Sequence, residues 1–284
     1  MRITIAVVQF EIAQFDPEKN LARAEGFLQE AARHKADLIV FPEDFVLGPL
    51  NGRADLADFE GRYVRHFQEL ARRYAIEIVP GSIIEGDEKG LYNTAYYIDR
   101  TGQILGRYRK VNLWLSERSY VDPGQQAVVC ETRFGKIGLA ICWDLAFPEL
   151  FRAMLAEGAE IVLCPSYWCY EDAGIGMQHD PDSDVKFVDA LCTARAFEQE
   201  IILVYANAAG VLELGEEHGT LLGHSQITVP FKGALHICEH NREEMFIETI
   251  DTAILADAET AYEIRSDLRK GLFLQEKQKK YVIY

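Results

Sequence analysis

The chain has 284 residues, 49 % apolar and 26 % charged, with 29 basic side chains against 45 acidic and a formal net charge of −16. That is enough apolar material for a packed core and too much for a disordered chain. The negative surplus repels phosphate backbones and anionic lipid, which argues against nucleic-acid and membrane-surface roles.

No apolar run reaches the roughly 18 residues that a membrane-spanning helix needs. The first run, Ile3–Val8, is followed by Gln9, Glu11 and Gln14. Without a basic start or a small-residue cleavage site, it reads as a strand and not a signal peptide. Six cysteines (130, 142, 164, 169, 192 and 238) are sparse for this length, and five lie in or beside apolar runs. Buried free thiols in a reducing cytoplasm are the expectation, not a disulfide framework. No Ser/Pro/Gly linker divides the sequence, so residues 1–284 are expected to form a single domain.

Ile3–Phe10 reads as a buried strand. Asp16-Pro17 supplies an N-cap and a proline at the first helical position. Leu21, Ala24, Leu28 and Ala31 then recur at helical spacing, predicting a helix over 17–34. Asp37–Phe41 is a short strand ending at Pro42. A second helix is expected over 59–74, with Phe59, Val64, Phe67, Leu70 and Ala71 inward, and then a strand over Ile76–Ile84. Asn93–Ile98 and Gln103–Tyr108 flank the turn Asp99-Arg100-Thr101-Gly102, a hairpin signal. Ala127–Glu131 and Lys136–Ile141 flank Thr132–Gly135 in the same way. A helix from Pro148 to Glu157 follows, then a strand over Glu160–Cys164 and a helix over Asp184–Gln199. Strands are expected over Glu200–Ala206, Ser225–Val229 and Glu243–Ile250, with a last helix over 252–264. Alternating strands and amphipathic helices, with hairpins between, imply an α/β protein. Helices cover one face of each sheet, so the other face needs a second sheet. The expected architecture is a four-layer α-β-β-α sandwich of two mixed sheets covered by helices.

Three polar residues stand at strand ends, where α/β proteins place reactive groups. Glu43 follows Leu38-Ile39-Val40-Phe41-Pro42, where partial desolvation would raise its pKa; the plain alternative is an acidic surface turn. Lys110 follows Arg107-Tyr108-Arg109 and precedes the apolar segment Val111-Asn112-Leu113-Trp114-Leu115. It is either a solvated edge charge or a cation fixed against an apolar wall. Cys142 ends the strand Lys136–Ile141, about six residues before a helix. That strand–turn–helix setting exposes nucleophiles, although most cysteines are small core hydrophobes. The seven histidines show no Cys–His signature, and Cys164, Cys169 and His179 lack zinc-site spacing. Neither nucleotide-binding glycine fingerprint is present.

Phe41-Pro42-Glu43, Arg107-Tyr108-Arg109-Lys110 and Gly138-Leu139-Ala140-Ile141-Cys142-Trp143-Asp144 occur in that order and together resemble the signatures of the nitrilase, or carbon–nitrogen hydrolase, superfamily. The likeness spans nearly the whole chain. It takes in Ile5–Gln9, Tyr92-Asn93-Thr94-Ala95, Asp122-Pro123-Gly124, Pro165-Ser166-Tyr167-Trp168, Arg195–Glu198 and Asn207–Gly210. It implies the sandwich fold, no metal, no cofactor, and a triad of Glu43, Lys110 and Cys142, with Glu117 as a second glutamate. Asn112 departs from the pattern, since many members carry His two residues after the lysine.

On that likeness Cys142 attacks the carbon and Glu43 is the general base, with burial raising Glu43 and Lys110 lowering Cys142. Lys110 and the backbone N–H of Trp143 hold the oxyanion. Tyr167 and Trp168, with Tyr170, are expected to line the pocket. The substrate class is a small amide, carbamoyl compound or nitrile. Glu171, Asp172, Asp180, Asp182, Asp184 and Asp189 form an acidic run after the pocket loop, either a solvated face or a source of inward carboxylates. A homodimer or higher homo-oligomer is expected, with the apolar segments Leu272–Leu274 and Tyr281–Tyr284 as interface elements.

Overall fold

The computed structural model describes residues 1–214 and 217–270. In chain order they form β1 (Arg2–Glu11), α1 (Pro17–Arg33), β2 (Leu38–Val40), α2 (Arg62–Tyr74), β3 (Glu77–Val79), β4 (Ser82–Asp87), β5 (Gly90–Ile98) and β6 (Ile104–Arg109). Then come β7 (Val128–Thr132), β8 (Gly135–Leu139), α3 (Pro148–Ala156), β9 (Ile161–Ser166), α4 (Ser183–Gln199) and β10 (Ile202–Ala209). The last described elements are β11 (Val211–Leu214), β12 (Glu217–Thr220), β13 (Gln226–Val229), β14 (Gly233–Ile237), β15 (Glu244–Asp251), α5 (Ala253–Tyr262) and α6 (Ile264–Arg269).

The result is an α/β fold in which a mixed sheet is continuous through one join. β1 pairs with β15 over Arg2–Gln9 and with β2 over Ile5–Val7, and its last residues, Phe10 and Glu11, cross to Ala208 and Ala209 of β10. One half of the sheet runs β6, β5, β3, β2, β1 and β15, with β4 pairing β5 along the same edge as β3, opposite β6; the other half runs β7, β8, β9, β10, β13 and β14. Side chains alternate across β1 as a strand requires. Ile3, Ile5 and Val7 share a core with Ile137, Leu139 and Leu163 of the second half. Ala6, Val8 and Phe10 pack with Ala24 and Leu28 of α1 and Phe67 of α2.

Several boundaries differ from expectation for local reasons. α1 starts as predicted, because the Asp16 side chain accepts from Lys19 N and Pro17 follows. α2 begins only at Arg62, after Gly61 in the left-handed region, so Phe59 lies outside the helix and is 59 % exposed instead of inward. The single strand expected over Ile76–Ile84 is two strands, broken at Pro80-Gly81. The final helix is divided at Glu263, whose φ is +54°. β11, β12 and β14 have no counterpart in the sequence reading. All six cysteines are free and buried, as expected. Among the described residues no helix is long and apolar enough to cross a membrane. The apolar segments Leu272–Leu274 and Tyr281–Tyr284 lie outside the described residues.

Candidate active site

Four strands that run in one direction bring the polar groups to one end of the sheet. β2 leads into Glu43, β6 into Lys110, β8 into Cys142 and β9 into Tyr167. β2, β8 and β9 are linked by parallel pairing through β1 and β10, and β6 shares their direction because it is antiparallel to β5, itself antiparallel to β3. The carboxyl ends of such strands are where α/β sheets hold ligands. The approach of Glu43 depends on Gly81, whose φ is +61°; a Cβ there would stand 1.8 Å from Pro42 O. The break between β3 and β4 therefore makes room for the backbone that carries Glu43.

Glu43, Lys110 and Glu117 form one buried network. Lys110, 1 % exposed, donates from Nζ to Glu43 Oε1 at 2.8 Å and to Glu117 Oε2 at 2.6 Å. Asn93 Nδ2 donates to Glu43 Oε1 and to Glu117 Oε1, both at 2.8 Å. Glu117 Oε2 also accepts from Trp114 N at 2.7 Å, and Glu43 Oε2 from Tyr167 N at 2.9 Å. Buried charges survive only when paired and hydrogen-bonded in this way. Asn93 was not read as a site residue. The signal was a buried amide in the apolar strand Leu91-Tyr92-Asn93-Thr94-Ala95-Tyr96, where an unsatisfied polar side chain would be costly.

Cys142 opens a short 3₁₀ turn, Cys142–Ala146, with φ of +46°. A non-glycine residue in the left-handed region costs about 1–3 kcal/mol and is held there only by its surroundings. The holder is Asp144. Its carboxylate accepts from Ile141 N at 2.9 Å, Tyr108 Oη at 2.7 Å, and both Asn112 N and Asn112 Nδ2 at 2.9 Å. Asn112, the departure from the family pattern, thus ties the segment after Lys110 to the turn that carries Cys142. The Cys142 thiol points to Tyr167 O at 3.4 Å. Tyr167 therefore touches both Glu43 and Cys142 through its backbone.

A cavity of about 510 Å³ opens onto these groups, lined by Glu43, Lys110, Glu117 and Cys142 and by Trp114, Tyr120, Trp143, Tyr167 and Trp168. Trp143 packs edge-on against Trp114 at 4.5 Å and tilted against Trp168 at 5.4 Å. Trp168 is also a buried anchor, donating from Nε1 to Asp184 Oδ2 at 2.8 Å. Of the six acids of the run, Glu171 and Asp172 reach the cavity wall, as does Asp44, which was not singled out. Asp180 pairs with Lys186, and Asp189 accepts from Gln226. Tyr170 packs at the edge of the core and is not among the lining residues.

Burial pushes the Glu43 carboxyl up; Lys110 opposes this and Glu117 adds to it. Burial alone would lower Lys110, but Glu117 and then Glu43 outweigh it and hold the ammonium well above its ordinary value. Burial pushes the Cys142 thiol well up, Glu43 adds to the rise, and Lys110 offsets only part. Lys110 thus acts in the expected direction, but the net shift is upward because burial and Glu43 outweigh it. The neutral thiol is therefore the resting form. Burial pushes Asp172 up to about 7 although it accepts from Cys169 N.

A buried carboxylate–lysine–carboxylate network against a cysteine at a strand-to-helix turn is the equipment of a thiol-based acyl-transfer site. The carbon-nitrogen hydrolase family model matches residues 4–259, and the chain belongs to that family. It is 29 % identical to a 2-oxoglutaramate amidase of Bacillus subtilis, over 96 % of this chain and 100 % of the relative. It is 31 % identical to a citrullinase of Francisella tularensis, over 86 % of this chain and 83 % of the relative. Among solved structures, a mutant amidase of Nesterenkonia carrying the acetamide moiety of fluoroacetamide on its active-site cysteine aligns with a TM-score of 0.77. It is 25 % identical and covers 95 % of this chain and 96 % of its own.

Proposed function

We propose that this protein hydrolyses a non-peptide carbon–nitrogen bond in a small amide or carbamoyl compound through an acyl-thioester on Cys142. The observation that carries the reading is the buried Glu43–Lys110–Glu117 network meeting Cys142 at the floor of one cavity. An amide carbon is a poor electrophile, so a strong nucleophile and a stabilised oxyanion are both needed. As the thiol attacks, Glu43 takes its proton, so the thiolate forms only as the carbon–sulfur bond forms. An ammonium has three N–H donors; Glu43 and Glu117 take two from Lys110, and the third serves the oxyanion together with the backbone N–H of Trp143. Glu43 returns the proton to departing ammonia or amine, then draws one from the water that cleaves the thioester. Glu117 is a positioning residue that holds Lys110.

Tyr167 and Trp168 shape the pocket wall around the acyl group. The mixed sheet with a core shared between its halves supports the four-layer sandwich expected of the family. No metal or cofactor enters this scheme. A cytoplasmic setting and a homo-oligomeric state belong to the same reading; sedimentation at micromolar concentration that shows only a 32.2 kDa species would remove the second.

Nitrile hydrolysis is the alternative within the same chemistry, with a thioimidate in place of the first tetrahedral species. A silent binding scaffold is the alternative of another class, and the intact set of four polar residues facing a cavity opposes it. A panel of small amides, carbamoyl compounds and nitriles, with ammonia and acid release measured separately, separates the three. Amide or carbamoyl turnover supports the proposal, nitrile turnover alone selects the second, and no turnover across the panel favours the scaffold.

A further inference from the structure

Outside the catalytic cavity, one group of donors has an arrangement that the catalytic reading does not use. Among the described residues, a ring nitrogen of His236, Sγ of Cys238 and a carboxylate oxygen of Glu244 all lie within 4.8 Å of one another. His236 and Cys238 are two apart on an extended run, which turns both side chains to one face. Glu244 starts the next strand. None of the three lines the catalytic cavity.

We propose that His236, Cys238 and Glu244 bind a divalent transition-metal ion of the zinc type, which ties β14 to β15. Imidazole, thiolate and carboxylate are the donors that zinc takes, and a thiolate disfavours magnesium and calcium. Ligands 2.0–2.3 Å from one zinc ion stand about 3.5 Å apart at tetrahedral angles, so the three donors need to close by little more than about 1 Å. Cys238 is 2 % exposed and forms the floor, while His236 and Glu244 are about a third exposed and leave an entry from solvent. Solvent supplies the fourth ligand, and the Cys238 proton leaves to solvent as the metal binds.

The surroundings orient the donors. His240 Nε2 lies 2.8 Å from Glu244 Oε2, while His240 Nδ1 accepts from Arg242 N. That tautomer makes His240 a donor to the carboxylate and not a fourth ligand. Glu248 Oε1 stands 3.6 Å from His236 Nδ1, beyond hydrogen-bond distance, and adds a further carboxylate beside the donors. The connecting loop is fixed by Gln9 Nε2, which donates to His240 O at 2.7 Å and Arg242 O at 2.8 Å. Among the described residues β14 pairs only with β13, and β15 only with β1, so a metal would join strands from the two halves of the sheet.

The test uses the full chain with Cys142→Ala, so that the catalytic thiol cannot hold the probe ion. Chelator-stripped protein is titrated with Co²⁺ without oxygen, then with Zn²⁺. The proposal predicts one equivalent bound, a thiolate-to-cobalt charge-transfer absorption that Zn²⁺ displaces, and a higher Tm with Zn²⁺. Adding Cys238→Ser should abolish the absorption. Should that buried change unfold the chain, Glu244→Gln, at a partly exposed position, should weaken binding about 10-fold or more, and so should His240→Ala. No charge-transfer absorption in the Cys142→Ala protein, an absorption that survives Cys238→Ser, or unchanged affinity in folded Glu244→Gln would overturn the proposal.

Discussion

Replacing Lys110 by methionine separates an oxyanion donor from a mere binding charge. Lys110 is 1 % exposed, with its ammonium 2.8 Å from Glu43 and 2.6 Å from Glu117. Unit charges about 4 Å apart attract by about 4 kcal/mol at an effective dielectric of about 20. Two such attractions are offset by the desolvation of three groups and by repulsion between the carboxylates. The net cost of removing one partner from a buried set is about 3–5 kcal/mol, a large share of the roughly 5–15 kcal/mol that keeps a domain folded. Lys110→Met should thus melt earlier but remain measurable. Loss of one oxyanion donor should lower kcat on the order of 10²-fold or more. The pH profile adds a sign. Lys110 favours the charged form of Glu43, so without it the Glu43 pKa rises further and the acid limb of kcat moves to higher pH. The assay is kcat and KM against pH on the best panel substrate, beside a urea melt of the same protein. An unchanged kcat and an unmoved acid limb, with only KM raised, would refute the oxyanion assignment.

Gly81→Ala should damage turnover without touching a reacting group. Its Cβ would meet Pro42 O at 1.8 Å and its φ is +61°, so Glu43 must move; a shift of about 1 Å costs on the order of 10²-fold. Wild-type kcat in a folded Gly81→Ala protein would show that this approach does not set the Glu43 position. Asp172, in the cavity wall, is pushed up to about 7 by burial, so it ionises as pH rises through that value. An amide ending in an ammonium should then gain kcat/KM over its methyl-ended match above pH 7, and Asp172→Asn should remove the gain. A preference for the methyl-ended or an anionic amide would retire that idea. The preference should also persist at high salt, since a gain lost with salt reports only long-range steering.

The parts of the fold that were legible are those where local chemistry and periodicity agree. Asp16-Pro17 set the start of α1, and the Asp99–Gly102 turn set the β5–β6 hairpin, because caps and tight turns are decided within a few residues. What was not legible depends on tertiary approach. The break at Pro80-Gly81 makes sense only once Pro42 is packed over it, and the join of β1 to β10 uses two residues that the strand pattern does not mark. At the site, Glu43, Lys110 and Cys142 were visible as polar groups at strand ends, and their order carried the resemblance. Asn93 and Asp144 act through hydrogen bonds to partners 24 to 50 and 3 to 36 residues away, and a pattern along the chain does not reveal such pairings. The net direction of the Cys142 shift is not legible along the chain, because it depends on how deeply the fold buries the thiol and on the charge of nearby Glu43, which together outweigh Lys110.

The covalent state of Cys142 during turnover tests the account most directly. Protein mixed with the best amide of the panel, quenched in acid and digested, should carry the mass of the acyl group on the peptide containing Cys142. Cys142→Ala should show neither that mass nor turnover while keeping its fold. An acyl group on another residue, or product formed by Cys142→Ala at the wild-type rate, would contradict the account.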